Sequence, residues 1–285
     1  MNAKIGIIGG SGLYGMEELR NIKEIKVDTP FGEPSDVYIS GELDGKELIF
    51  LPRHGRGHRI LPHELNFRAN IYGMKKLGVE WIISVSAVGS MREDIEPGHI
   101  VIPDQFFDRT RMRPSTFFGN GIAAHVQFAD PVCKALKKTL YDSALKAGAT
   151  VHKGGTYLCM EGPQFSTRGE SLIYRQWGVD IIGMTNLPEA KLAREAEICY
   201  ATIALATDYD CWHEAEEDVT IDMVLETIKN NVKMAQKIIK NAVSQMGGER
   251  NCACSQALKN AIITDRGAIT DKVRERLGLL IGKYI

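Results

Sequence analysis

Several classes of protein are excluded by what this chain of 285 residues does not contain. It has no uninterrupted apolar run of eighteen or more residues, so no membrane-spanning helix is expected. Its formal net charge is −1, which leaves no basic field for nucleic acid. Met1-Asn2-Ala3-Lys4-Ile5 runs straight into a short apolar segment, without the length or cleavage pattern of a signal peptide, and a cytoplasmic protein is the expectation. No internal repeat and no low-complexity linker interrupt the chain. The CxxC spacing of zinc and thioredoxin-like sites is absent: Cys252-Ala253-Cys254 is one residue too short, with no second ligand pair nearby in sequence. Cys133, Cys159, Cys199 and Cys211 are isolated among mixed apolar residues and read as packed thiols.

What remains is the composition of an ordinary soluble enzyme-sized chain, 44% apolar and 25% charged. Strand-like runs fall at Lys4–Ile8, Glu47–Pro52, Trp81–Val85, His99–Ile102, Thr156–Met160, Asp180–Met184 and Ile198–Ala206. Between them, helical periodicity marks Leu65–Leu77, Pro131–Ala147, Pro188–Glu197 and a long amphipathic helix over Ile221–Met246. This alternation predicts a single α/β domain with a central mixed, largely parallel twisted sheet flanked by helices. Residues 1–250 form that domain in this reading. Residues 251–285 form a tail packed on it or on a neighbouring subunit, after the break at Gly247-Gly248-Glu249-Arg250-Asn251.

Chemistry-bearing residues cluster where catalytic loops of such sheets gather, at strand ends. Thr207-Asp208-Tyr209-Asp210-Cys211-Trp212 leaves a buried strand with two carboxylates two residues apart, expected to point the same way. Such a pair suits a flat ligand with adjacent polar groups: one carboxylate accepts from an exocyclic amine, the other protonates a ring nitrogen. A solvated turn is the competing reading. Gly10-Ser11-Gly12-Leu13-Tyr14-Gly15 fits G-x-G-x-x-G, but no clean second strand ending in an acid follows it. Phosphate cradling by turn amides and the Ser11 hydroxyl, dinucleotide binding and a plain tight turn all stay open here. Arg53-His54-Gly55-Arg56-Gly57-His58-Arg59 offers planar donor forks beside glycines, against the alternative of a solvated basic loop. A zinc site from His54, His58 and His63 lacks a completing carboxylate or thiolate. Ser84-Val85-Ser86-Ala87-Val88-Gly89-Ser90 ends another buried strand in small residues, which serve a ligand edge or close packing equally.

Taken in order, Gly9-Gly10-Ser11-Gly12-Leu13, Pro52 to His58, Ser86 to Ser90, Met160-Glu161-Gly162-Pro163-Gln164-Phe165-Ser166-Thr167-Arg168, Gly183-Met184-Thr185 and Thr207 to Trp212 closely resemble the 5′-methylthioadenosine phosphorylase branch of the trimeric purine nucleoside phosphorylases. The resemblance spans roughly residues 4–245. It implies the nucleoside phosphorylase fold and reversible phosphorolysis of 5′-methylthioadenosine to adenine and 5-methylthioribose 1-phosphate. Inorganic phosphate would be the co-substrate, with no metal and no organic cofactor. By the same resemblance, Ser11, Arg53, His54, Ser86 with the Ala87 amide, and Thr185 would hold phosphate. Met184 would lie under the ribose, Phe165 and Ser166 beside the purine, and Asp208, Tyr209 and Asp210 along its N6 and N7 edge, with Asp210 the proton donor. Ile221, Val224 and Leu225 would line an apolar 5′ pocket. His125 would reach a neighbouring subunit's site in a homotrimer or a dimer of trimers. Ser11 and Ser86 stand where relatives often carry Thr, and the hydroxyl is kept. The tail resembles, through Cys252-Ala253-Cys254-Ser255, those of some archaeal members that look disulfide-bearing. The pairings that follow from that likeness are Cys133 with Cys199 and Cys252 with Cys254. Three other readings remain beside this one: a broader purine nucleoside phosphorylase taking adenosine or 6-oxopurine nucleosides, a hydrolytic nucleosidase, and a dinucleotide-binding module.

Overall fold

The computed structural model describes residues 4–213, 221–247 and 250–285, excepting the side chains of residues 11, 221–226 and 228. Chain order runs β1 (Lys4–Gly9), β2 (Arg20–Ile25), β3 (Tyr38–Leu43), β4 (Lys46–Pro52), α1 (Phe67–Lys76), β5 (Val79–Ser90), β6 (Ile100–Ile102) and β7 (Gln105–Arg109). It continues α2 (Lys134–Lys146), β8 (Val151–Lys153), β9 (Thr156–Met160), α3 (Arg168–Gln176), β10 (Ile181–Gly183), α4 (Asn186–Glu195), β11 (Cys199–Asp208), α5 (Ile221–Gln245) and α6 (Asp271–Ile281).

The eleven strands among the described residues join one mixed sheet in the order β2-β3-β4-β1-β5-β10-β9-β7, with β11, β6 and β8 branching from β5. The branching is a property of β5, which has twelve residues. Its first half pairs in parallel with β1, its last two residues pair antiparallel with β10, and β11 runs parallel along its other edge. The strand does end in small residues, at Ser90, five residues beyond the Trp81–Val85 run expected from the sequence. These small residues let it continue between close neighbours.

Two apolar layers cover the sheet. On one side lie Ile71 and Met74 of α1 and Leu192 and Ala193 of α4. On the other lie Leu136 and Leu140 of α2 and Ile238, Ile239 and Val243 of α5. The tail packs within this chain. Leu258, Ile269, Val273, Leu277 and Leu280 enter the first layer, and Ile262 bridges to Ala124. Among the described residues, no helix is long and apolar enough to cross a membrane.

Candidate active site

A gap opens along β5 where β1 stops at Gly9 and β10 has not yet begun. Arg53 fills its base. The Arg53 amide donates to the Gly9 carbonyl at 2.9 Å. The guanidinium Nη1 donates to the Val85 carbonyl at 2.9 Å, and Nη2 donates to the Ile8 carbonyl at 3.1 Å and to Ser84 Oγ at 2.6 Å. Nε and Nη2 also reach the two oxygens of Glu189 at 2.8 and 3.0 Å. Ser84 Oγ and the Tyr200 hydroxyl each donate to Glu189 Oε1 at 2.9 Å. The sequence reading gave this fork to phosphate; in the structure it grips a carboxylate. The reason is burial: the two side chains are 3% and 0% exposed, and a charge that deep needs a counter-charge and full hydrogen bonding. Burial alone would lower the Arg53 pKa, but Glu189 beside it raises it.

Above this pair, several groups that could hold an oxyanion converge. Ser86 is buried, with Oγ 3.3 Å from the Tyr157 hydroxyl. Tyr157 also stands beside the Thr185 hydroxyl. Thr185 occupies the N-cap of α4 and is 8% exposed, yet its Oγ1 has no hydrogen-bond partner among the described residues. A buried hydroxyl with no well-formed bond of its own keeps its donor available for a water or a ligand. Ala87 is exposed between buried Ser86 and Val88. Gly183 is needed here, because a Cβ on it would sit 2.0 Å from the Tyr157 hydroxyl.

His54 is half-buried, and its Nδ1 lies 2.8 Å from the Ile60 carbonyl. A carbonyl only accepts, so Nδ1 carries the hydrogen. Burial pushes the imidazole pKa down to about 4, overriding that hydrogen bond, with Arg53 and His58 adding repulsion. Neutral His54 therefore presents Nε2 as an acceptor, suited to a protonated phosphate oxygen or a sugar hydroxyl rather than to a bare oxyanion. The backbone of Ser11 opens a short 3-10 turn after Gly10, and its side chain lies outside the described part.

The carboxylate pair sits at the far end of β5. A Cβ on Gly89 would lie 3.0 Å from Asp208 Oδ1 and 3.2 Å from Asp210 Cβ. The two do not leave one strand in parallel, as their spacing suggested. Asp208 ends β11 after a register shift at Thr207, whereas Asp210 has φ of 52° and starts a 3-10 turn. The turn itself aligns them: the Asp210 amide donates to Asp208 Oδ1 at 2.8 Å. Thr207 Oγ1 donates to Asp208 Oδ2 at 2.7 Å, and Ser171 Oγ of α3 donates to Asp210 Oδ2 at 2.6 Å. Asp208 is exposed and Asp210 half-buried. Burial raises the Asp210 pKa, opposed by the Ser171 hydrogen bond and reinforced by the Asp208 charge. That is the asymmetry a proton donor beside a hydrogen-bond acceptor requires.

The remaining expected residues fall into three groups. Met184 is half-buried, and a Cβ on Gly162 would meet its sulfur at 2.6 Å. Ser166 is tied to the carboxylate turn, since Cys211 Sγ–H donates to its carbonyl at 3.3 Å; neighbouring Phe165 is 82% exposed. Tyr209 stacks on His213 at 4.5 Å. His125 is exposed on a segment held to the tail by its amide, which donates to the Ala261 carbonyl at 2.8 Å. No hydrogen bond or ion pair joins its side chain to the groups above among the described residues. The side chains of Ile221, Val224 and Leu225 lie outside the described residues, although the helix that carries them is present.

Sequence reasoning missed Glu189, Tyr157, Ser171 and Arg113. Arg113 is buried, donating from Nη1 to the Met184 and Leu187 carbonyls at 2.7 and 2.8 Å and from Nε to Glu161 at 2.8 Å. It thereby fixes the turn that presents Met184 and Thr185. Nothing local distinguished Glu189 or Arg113 from ordinary charged residues.

The cysteines also differ from expectation. All six are free, and neither expected disulfide is present. Instead, Cys133, Cys199, Cys252 and Cys254 gather so that their sulfurs all lie within 4.8 Å of one another. The second ligand pair that the sequence around Cys252 lacked comes from distant parts of the chain.

A parallel-cored mixed sheet with the Ser86 hydroxyl and an acid pair set along β5 and β11 defines the class of protein. The chain belongs to the phosphorylase superfamily, whose family model matches residues 4–244. It is 66% identical to the S-methyl-5′-thioadenosine phosphorylase of Geobacter sulfurreducens, with 100% of both chains covered. It is 57% identical to the enzyme of the same name from Koribacter versatilis, covering 100% of this chain and 97% of that one. A crystal structure of methylthioadenosine phosphorylase from an antarctic soil metagenomic library superposes with a TM-score of 0.95, at 50% identity over 98% of each chain.

Proposed function

We propose that the protein catalyses the reversible phosphorolysis of 5′-methylthioadenosine to adenine and 5-methylthio-D-ribose 1-phosphate, a pentosyl transfer to phosphate. The observation that carries this reading is the half-buried Asp210 carboxyl with its raised pKa, held by Ser171 and Asp208 at one end of β5 while an unpartnered Thr185 hydroxyl and Ser86 mark an anion cradle nearby. The identity with named relatives supports it.

In this mechanism phosphate binds against Ser11, Ser86, the Ala87 amide, Thr185 and His54, below the anomeric carbon. Arg53 shapes that floor through β1, β5 and Glu189. Asp208 accepts from the purine amine, and Asp210 gives its proton to N7 so that adenine leaves neutral. Phosphate is both nucleophile and counter-charge to the oxocarbenium-like transition state, and positioning carries the rate. Met184 lies under the ribose, Phe165, Ser166 and Tyr209 border the base, and Ile221, Val224 and Leu225 receive the methylthio group. No metal and no organic cofactor enter the reaction.

A homotrimer, or a dimer of trimers, goes with this reading. Phe107, Trp177, Ile173 and Phe165 are exposed apolar side chains, and Phe107 and Trp177 border a shallow hollow of about 260 Å³. Surfaces of this kind mark subunit contacts, and His125 would complete a neighbour's site. A cytoplasmic setting fits as well, since thiols persist in a reducing compartment.

The test is incubation with 5′-methylthioadenosine with and without phosphate. Adenine and a sugar phosphate form only with phosphate. Adenine released at an undiminished rate without phosphate, together with free methylthioribose, would replace this reading with a nucleosidase.

A further inference from the structure

We propose that Cys133, Cys199, Cys252 and Cys254 form a tetrathiolate site for a zinc(II) ion that fastens the C-terminal tail to the sheet. Their sulfurs lie within 4.8 Å of one another, and Cys199 Sγ stands 3.3 Å from Cys252 Sγ. A tetrahedral zinc with Zn–S bonds of about 2.3 Å sets its sulfurs about 3.8 Å apart. The four sulfurs are therefore placed for coordination with only small shifts. Four soft sulfur donors and no oxygen select zinc over magnesium or calcium.

The surroundings suit a structural ion. Cys133, Cys199 and Cys254 are buried and Cys252 is half-buried, within the apolar layer that includes Trp81, Leu136 and Ala201. Four protein ligands leave no open position for water, as in structural rather than catalytic sites. Cys133 is the N-cap residue of α2, where the helix dipole favours a thiolate. Its amide is fixed by the Tyr200 carbonyl at 2.9 Å.

Position separates this site from the chemistry. Cys199 opens β11 and Asp208 closes it, so the cluster and the carboxylate pair are ~30 Å apart along the strand. The cluster joins the start of α2, the start of β11 and the tail. Beyond Cys254 the tail supplies Leu258, Val273 and Leu277 to the core. An ion held here closes that segment onto the domain. Each coordinating thiol passes its proton to solvent on binding, so affinity falls as pH falls.

The experiment uses the full chain, purified under reducing conditions and without chelator. Elemental analysis is expected to find one zinc per chain. After zinc removal, cobalt(II) titration is expected to give the visible bands and sulfur-to-metal charge transfer of a tetrahedral thiolate site, saturating at one equivalent. The double variant Cys252→Ser, Cys254→Ser is expected to lose the zinc and the cobalt spectrum while keeping phosphorolysis. If that variant fails to fold, the cobalt titration of the unaltered protein decides. Thiol counting on denatured, unreduced protein supplies the remaining arm. Two disulfides among the four cysteines in protein isolated without reductant and with no zinc bound, free thiols that bind no zinc or cobalt, or zinc retained in the folded double variant would each overturn the proposal.

Discussion

Arg53 and Glu189 meet in a two-point hydrogen-bonded ion pair under the strand that floors the candidate site, with Nε–Oε2 at 2.8 Å and Nη2–Oε1 at 3.0 Å. Arg53 opens the loop after β4 and Glu189 lies in α4, so the pair clamps distant parts of the chain against Ser84 and Tyr200. Removing one partner leaves the other charge buried and alone. Glu189→Gln is therefore expected to lower stability by about 3–5 kcal/mol, read as a drop in the denaturant midpoint. A variant within about 1 kcal/mol of the parent would mean that the pair is not the clamp described here.

The Ser171 hydroxyl holds Asp210 at 2.6 Å and stabilises its ionised form. Ser171→Ala removes that bond, so the already raised pKa of Asp210 rises further. The alkaline limb of the kcat/KM profile should then move to higher pH, because the acid keeps its proton longer. Asp210→Ala should lose roughly 10²–10⁴-fold in kcat while remaining folded. A pH profile unchanged by Ser171→Ala would separate Asp210 from the proton transfer.

Asp208 accepts the Asp210 amide through Oδ1, and an asparagine carbonyl can do the same. Asp208→Asn should preserve the turn while adding a donor where the carboxylate only accepted. Use of 6-oxopurine nucleosides should rise relative to 6-aminopurine nucleosides. Competition assays with inosine and adenosine measure it, and an unaltered ratio would remove Asp208 from base recognition.

Glu195, the last residue of α4, is 6% exposed and accepts from the Phe117 amide and Thr116 hydroxyl, both at 2.7 Å. Burial nonetheless raises its pKa from 4.5 to about 7. A raised folded-state value favours the protonated form. Its contribution to stability is fully present below pH 4.5 and is lost as pH rises through about 7. The difference amounts to roughly 3 kcal/mol. Denaturant midpoints of the parent should thus fall relative to Glu195→Gln across that window, and a constant offset between the two would refute the assignment.

Much of the architecture was legible along the chain. The strand expected at Thr156–Met160 is β9 residue for residue, and the expected Ile221–Met246 helix is α5 to within one residue. Apolar periodicity is a local signal, and these segments bury one face or both. By contrast, β2 has the sequence Arg-Asn-Ile-Lys-Glu-Ile and is almost wholly exposed at the sheet edge, so no apolar pattern announced it. The tail helix α6 went unassigned, although its Val273, Leu277 and Leu280 are buried.

The sequence by itself determined the α/β class, the ordered motifs and the residue types of the candidate site, because residues close along the chain share a strand end or a turn. Only the tertiary structure decided which partners those residues take. It gave the Arg53 fork to Glu189, aligned Asp208 and Asp210 through a left-handed turn instead of a shared strand, and left Thr185 without a partner. It also drew Cys133 and Cys199 beside Cys252 and Cys254. Each of these depends on long-range packing, where the low polarity of the interior makes the partner of a buried charge or thiol decisive and no local pattern names it.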